Sequence, residues 1–193
     1  NNAGAFFPKR IQTSYGVEKT LLVNHIAPFL LTTSLIDLLS SGAPSRIVNV
    51  SSNAYRYGSI DFGDLQMRKR YTGMRAYARS KMANLVFTYE LSRRLESDIT
   101  TVNALHPGHV ATDIWKTSFP VLGTVMKWIM KRIAIPAEAG AETSIFLASA
   151  PEVEGVSGSY YSQKIPTETN DISRDQSIAR ELWNMSENII RGA

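Results

Sequence analysis

The sequence predicts an α/β fold built on a parallel sheet, and three observations carry that prediction. Segments of helical apolar spacing alternate with short β-branched runs in the order helix, strand, helix, strand, which is the pattern of βαβ units. The runs 46–52 (Arg-Ile-Val-Asn-Val-Ser-Ser) and 99–105 (Ile-Thr-Thr-Val-Asn-Ala-Leu) read as buried strands. Each opens at its C-terminal end into a polar loop, where open parallel sheets hold their ligands. With 193 residues, 44% of them hydrophobic and 20% charged, residues 1–193 form a single domain large enough for a true core.

The elements follow in order. Asn1-Asn2-Ala3-Gly4 reads as the exit of a strand into a loop that continues through Pro8 and Gly16. From 17 to 39, Leu21, Leu22, Ile26, Phe29, Leu30, Leu35, Ile36, Leu38 and Leu39 recur at helical spacing. Pro28 interrupts this helix. Having no N–H, it cannot donate to the Asn24 carbonyl four residues earlier, so the helix should kink there and free that carbonyl. Ser40 to Pro44 end the helix before the first strand. The irregular stretch 53–74 is long enough to be either functional or folded on itself. A second helix over 75–95 carries Leu85, Phe87, Leu91 and Leu95 and should bury one side.

After the second strand comes His106-Pro107-Gly108-His109-Val110-Ala111-Thr112-Asp113, a loop. Residues 119–135 alternate bulky apolar groups with Lys127, Lys131 and Arg132. That amphipathic basic segment fits a lid over an apolar pocket, a membrane-surface contact, or a plain surface helix. Pro136 starts a helix over 137–148. A last strand is expected over 155–162, and a closing helix over 178–190 with Trp183 as its anchor.

Composition narrows the function classes. The net charge of +4 is modest, and the basic clusters Arg68-Lys69-Arg70 and 127–132 have no nucleic-acid-binding motif around them. With no cysteine there is neither a disulfide framework nor thiolate chemistry. His106 and His109 flank Pro107-Gly108 without a metal-ligand companion. No apolar run approaches the roughly 20 residues that span a bilayer.

The stretch with the strongest chemical content is 75–95. Tyr77 and Lys81 stand four apart on a helix, which puts both on one face with Cβ atoms roughly 5–6 Å apart. A phenol is a poor acid or base at neutral pH because its pKa is about 10. An ammonium beside it favours the phenolate and lowers that value. The pair could then move a proton near pH 7. An ordinary helix with a half-buried Tyr and a solvated Lys has the same spacing, so the pair alone does not decide.

The order of motifs does. Asn1-Asn2-Ala3-Gly4, Asn24 in Val-Asn-His, Ile47-Val48-Asn49-Val50-Ser51-Ser52, Tyr77-x-x-x-Lys81 and Pro107-Gly108-x-x-x-Thr112 occur in sequence. Together they resemble the short-chain dehydrogenase/reductase family, and the subgroup containing the retinol dehydrogenases most of all. Softer features carry the subgroup: Gly58-Ser59-Ile60-Asp61-Phe62, Ser80 to Asn84, and Ala179 to Ser186 around Trp183.

The resemblance implies the C-terminal part of a Rossmann-like doubly wound parallel sheet, with about three strands present and the N-terminal Gly-rich βαβ part missing. It implies a catalytic set of Asn24, Ser52, Tyr77 and Lys81. Tyr77 would be the proton donor or acceptor, and Ser52 would hold the substrate oxygen. Lys81 would lower the Tyr77 pKa and grip the nicotinamide ribose, and Asn24 would hold a relay water through its freed carbonyl. Asn2, Ala3 and Gly4 would border the adenosine. Tyr77 and Lys81, with Pro107, Gly108, Val110 and Thr112, would meet the nicotinamide end. The cofactor would be NADP or NAD, with NADP slightly favoured by the subgroup, and the substrate a small apolar alcohol, aldehyde or ketone.

The same resemblance implies a cytoplasmic protein, membrane-associated if a preceding segment anchors it. It also implies a homodimer whose face would be the Val17 and Tyr77 helices. The chain is expected to be a fragment, because the first strand would otherwise show an apolar edge and two uncovered faces. Two other functions compete: a catalytically inactive truncated relative acting as a binding module, and a nucleotide-sugar epimerase using the same Tyr/Lys pair. The epimerases carry a larger C-terminal substrate domain, for which the residues after Gly155 leave little room.

Overall fold

A computed structural model describes residues 1–42, 44–95, 99–108 and 135–192 of the chain. Its centre is a four-stranded sheet in the order β1-β2-β3-β4. The strands are β1 (Ser45–Val50), β2 (Thr100–His106), β3 (Tyr160–Ser162) and β4 (Ile165–Pro166). β1 pairs β2 in parallel from Ser45↔Thr100 to Val50↔Leu105, and β2 pairs β3 in parallel with Ala104 opposite Tyr160. β4 folds back antiparallel on β3. The expected strand over 155–162 is therefore shorter at its start. Gly155 and Gly158 take positive φ values of 68° and 69°, a turn conformation that a strand interior does not accommodate. The short β4 was not expected from the sequence.

Asn1 lies along the outer edge of β1. Its amine donates to the Val48 carbonyl at 2.8 Å and its carbonyl accepts from Val50 N–H at 3.0 Å. Those two bonds form one rung of a parallel ladder, as expected for a strand exit.

The faces of β1 are covered, contrary to the expectation from sequence. Helix α1 (Lys19–Ser41) and helix α2 (Gly73–Arg94) lie to one side, where Ile47 joins Phe29, Phe87 and Trp183. Helix α3 (Ala137–Ser149) lies on the other, where Val50 packs with Leu105, Leu147 and Tyr161. Alternation along the strand sends Ile47 and Val50 to opposite faces.

Helix α2 is buried on all sides from Ala76 to Leu91 rather than on one. The sheet takes one side, while the 53–72 segment and helix α5 (Gln176–Arg191) cover the others. A short helix α4 (Asp171–Arg174) precedes α5. Trp183 anchors α5 as expected: its ring lies 4.8 Å from that of Phe29 and 5.9 Å from that of Phe87. The Arg94 guanidinium stacks 3.9 Å above the indole, and Glu90 holds Arg93 and Arg94 at 2.9 and 2.8 Å.

The long stretch 53–72 folds on itself. It makes 3-10 turns at Asn53–Tyr57 and Phe62–Asp64. The Asp64 carboxylate accepts from the N–H groups of Arg68 and Lys69 at 2.7 and 3.0 Å. Buried Arg79 of α2 donates to the carbonyls of Asp64 and Leu65. Gly58 is required here: a Cβ would lie 2.4 Å from the Ala78 carbonyl oxygen and 2.8 Å from Met82 Cβ.

The Pro28 kink takes a definite form. Leu22–Ile26 is a π-turn in which Ala27 N–H bonds Leu22 O, a one-residue register shift just ahead of the proline. Helix α1 is also long and apolar enough, by length and composition, to cross a membrane, which corrects the expectation of no such run. Thr and Ser between its leucines lower mean hydropathy little. Its Asn24, His25, Phe29 and Thr32 face is buried in the fold.

Candidate active site

The C-terminal ends of β1 and β2 open into a cleft of about 900 Å³. Asn2, Gly4, Ser52, Tyr77, Lys81, Pro107 and Gly108 all line it, so most of the residues expected from sequence converge there. Ala3 is exposed and does not line the cleft. Val110, Thr112 and residues 119–134 of the amphipathic segment lie outside the described residues.

The two serines after β1 have separate tasks. Ser51 is buried and its hydroxyl donates to the Lys81 carbonyl at 2.9 Å. Ser52 faces the cleft and begins the Asn53–Tyr57 turn, its Oγ accepting from Ala54 N–H at 3.2 Å. Both serines border the cleft, but the Ser51 hydroxyl proton is given to the Lys81 carbonyl in that hydrogen bond, which leaves Ser52 as the serine suited to a ligand. Tyr77 reaches Ser52 from α2 through a side-chain hydrogen bond.

Electrostatics at Tyr77 differ from the expectation. Burial pushes the Tyr77 phenol above its ordinary value of 10.0, and the Ser52 hydrogen bond only pulls back against that. The Lys81 ammonium lies 5.7 Å from the centroid of the Tyr77 ring and donates to the Val50 carbonyl at 2.9 Å. Burial lowers the pKa of Lys81 itself to about 8, because a charge is costly away from water.

Asn24 stands behind the cleft rather than in it. Its amide oxygen accepts from Ala5 N–H at 2.7 Å, and its amide nitrogen donates to the Ala5 carbonyl and to Ser80 Oγ, both at 2.9 Å. Ser80 Oγ then donates to the Tyr77 carbonyl at 2.8 Å. Sequence reasoning gave Asn24 a role through its backbone carbonyl. Its side chain is what ties the loop after Gly4 to the Tyr77 helix.

At Gly4 the chain passes close to the lysine, since a Cβ there would lie 3.4 Å from Lys81 Nζ and 3.7 Å from Asn24 Oδ1. A flat, polar cofactor passing over Gly4 would meet the Lys81 ammonium directly. The ammonium has three hydrogens, and the Val50 carbonyl takes one. That donor set fits the vicinal hydroxyls of a ribose, and the cleft has the size of a cofactor site.

Sequence reasoning missed several lining residues. Met74, Arg56 and Tyr57 stand at the mouth, Tyr57 being 86% exposed. Ala137, Gly140, Ala141, Ser144 and Ala148 of α3 form the far wall. Their signal was available: small residues recurring at helical spacing mark a helix face that something else approaches closely.

The comparisons with known proteins agree with this geometry. The family model described as short chain dehydrogenase matches residues 1–121. Human "Retinol dehydrogenase 14" is 47% identical over 192 residues, covering 97% of this chain and 56% of that protein. Human "Retinol dehydrogenase 12" is 40% identical, covering 96% of this chain and 58% of that protein. The chain thus spans a little over half the length of these relatives. Among solved structures, an uncharacterised protein from Mycobacterium Paratuberculosis superposes with a TM-score of 0.76 at 28% identity, over 98% of this chain and 65% of that one. A short chain dehydrogenase from Salmonella enterica serovar Typhi shares the fold, with a TM-score of 0.58 at 21% identity over 84% of this chain and 58% of that one. Motif order, sheet topology, the serine–tyrosine–lysine cleft and these matches together make the chain a member of the short chain dehydrogenase family.

Proposed function

We propose that the protein is an NAD(P)-dependent oxidoreductase that interconverts an apolar alcohol with its aldehyde or ketone. The observation that carries this reading is the convergence of Ser52, Tyr77 and Lys81 on one cleft at the strand ends. The similarity to retinol dehydrogenases supports an apolar substrate, as do Val48, Val50 and Met74 in the cleft walls. The subgroup resemblance favours NADP over NAD.

A bound nicotinamide supplies or accepts the hydride. The chain supplies the rest. Tyr77 gives its phenolic proton to the carbonyl oxygen in reduction and takes it back in oxidation. Ser52 donates a hydrogen bond to the same oxygen and so stabilises the charge that gathers on it. Lys81 would hold the ribose of that cofactor. Asn24, through Ser80, fixes the turn of helix that carries Tyr77. The high Tyr77 pKa keeps the phenol protonated at neutral pH, which suits reduction.

The stripe Leu30, Leu31, Leu35 and Leu38 on α1 is exposed and supports the expected homodimer. Helix α2 is covered by α5, so of the two helices named for that face only α1 presents an apolar one.

The test is turnover of NADPH and NADH with retinaldehyde, medium-chain aldehydes and steroids, alongside the intact mass of the sample. Reduction of an apolar carbonyl is expected, with Tyr77→Phe at least a hundredfold slower, since general acid catalysis contributes roughly 10²–10⁴-fold. A Tyr77→Phe protein as active as the parent would refute the assignment.

A further inference from the structure

We propose that His106 and Tyr160 are positioning residues for Ser52, acting through the peptide that joins Ser52 to Asn53. This rests on the assignment of Ser52 to the substrate oxygen. That peptide is held at both ends. Its carbonyl, from Ser52, accepts from Tyr55 N–H at 3.0 Å, and its N–H, from Asn53, donates to His106 Nδ1 at 3.4 Å. The Asn53 side chain is held as well, its Oδ1 accepting from the Tyr160 hydroxyl at 3.2 Å.

Rotation of the Ser52–Asn53 peptide would break the bonds at both ends and displace Ala54 N–H, which donates to Ser52 Oγ at 3.2 Å and so holds that hydroxyl in direction. The Ser52 backbone is extended, with φ −167° and ψ 152°, and leads straight from the strand end into the turn. The hydrogen bonds at its two ends hold the peptide plane there.

The two clamps come from the sheet itself. His106 is the last residue of β2, and Tyr160 the first of β3. The parallel register that sets Ala104 opposite Tyr160 and His106 opposite Ser162 brings both side chains to the turn. They are 7% and 2% exposed. For Nδ1 to accept from Asn53, the ring proton must sit on Nε2, so the contact also fixes the tautomer. The sheet register is thereby read out in the direction of one serine hydroxyl.

The experiment is a double-mutant cycle on reduction of retinaldehyde by NADPH, with thermal unfolding as a parallel readout. His106→Phe is expected to lower kcat about tenfold, with KM nearly unchanged. His106→Asn, whose amide oxygen can stand where Nδ1 stood, should recover to within roughly threefold of the parent. Tyr160→Phe should lower kcat about threefold. In a Ser52→Ala background, itself slower by about 10²–10³, both losses should vanish.

Losses of the same size in the Ser52→Ala background would overturn the proposal, as would a folded His106→Phe protein with parental kcat. Should His106→Phe fail to fold, the Tyr160→Phe cycle decides by the same criteria. Parental activity in Ser52→Ala alone would instead overturn the Ser52 assignment on which the proposal stands.

Discussion

Lys81 is hydrogen-bonded to Val50: its ammonium donates to the Val50 carbonyl at 2.9 Å. The last residue of strand β1 is thus tied to the middle of helix α2. Ser51 returns the link by donating to the Lys81 carbonyl at the same distance. Strand end and helix are stitched in both directions at the floor of the cleft, and the ammonium is held beneath Gly4 before any ligand arrives.

Stability should depend on pH through Lys81. Burial lowers its pKa from 10.5 to about 8, while the unfolded chain keeps the ordinary value. Below pH 8 both states are protonated and the cost of the buried charge is fully felt. Between about pH 8 and 10.5 the unfolded state binds more protons, so stability rises with pH. The full difference is roughly 3 kcal/mol at 1.36 kcal/mol per pKa unit. Urea unfolding from pH 7.5 to 10 should show the parent gaining on Lys81→Met across that window. Parallel pH curves for the two proteins would refute the buried, depressed lysine.

The adjacent serines should separate stability from activity. Ser51→Ala removes a buried hydrogen bond between strand and helix and should cost about 1 kcal/mol of stability, with a small effect on kcat. Ser52→Ala should leave the unfolding midpoint near the parent's and lower kcat by about 10²–10³. Chemical unfolding and steady-state rates on both variants check this. The reversed pattern would exchange the roles given to them.

Gly58→Ala should destabilise without touching the cleft. The added Cβ meets the Ala78 carbonyl at 2.4 Å and Met82 Cβ at 2.8 Å, neither of which belongs to a flexible side-chain end. Overpacking of this kind costs about 1–3 kcal/mol. Thermal unfolding should fall accordingly, and a midpoint equal to the parent's would mean that the 53–72 segment packs on α2 less tightly than these distances state.

The oxidation direction should speed up with rising pH. On the role proposed for Tyr77 it needs the phenolate as base, and burial holds the phenol above its ordinary value of 10.0. Retinol oxidation by NADP should therefore still be climbing at pH 9, while Tyr77→Phe shows no such limb. A rate that levels off near pH 7 would mean that the bound cofactor and Lys81 overcome the burial cost.

Asn24→Leu should loosen the site from behind. The variant loses three hydrogen bonds at a fully buried position and leaves both Ala5 backbone groups unpaired. Each buried unpaired polar group costs about 1–3 kcal/mol. Chemical unfolding should report a loss of several kcal/mol by this reckoning, and a change under 1 kcal/mol would mean that water replaces the side chain at little cost.

By itself the sequence determined the alternation of helices and strands and the parallel pairing, while its resemblance to the short-chain dehydrogenase family singled out Ser52, Tyr77 and Lys81. Those follow from local periodicity, from Pro and Gly positions, and from residue types at fixed spacings along one chain. The tertiary structure alone decided what those side chains touch. The Asn24 side chain bonds Ala5 and Ser80 because the loop after Gly4 returns to it, and α2 is buried all round because α5 folds over it. Tyr77 is pushed up because its burial outweighs the Ser52 hydrogen bond. His106 and Tyr160 reach Asn53 only through sheet register. Spacing fixes direction along an element. Burial, and contact between residues far apart in the chain, exist only once the elements pack.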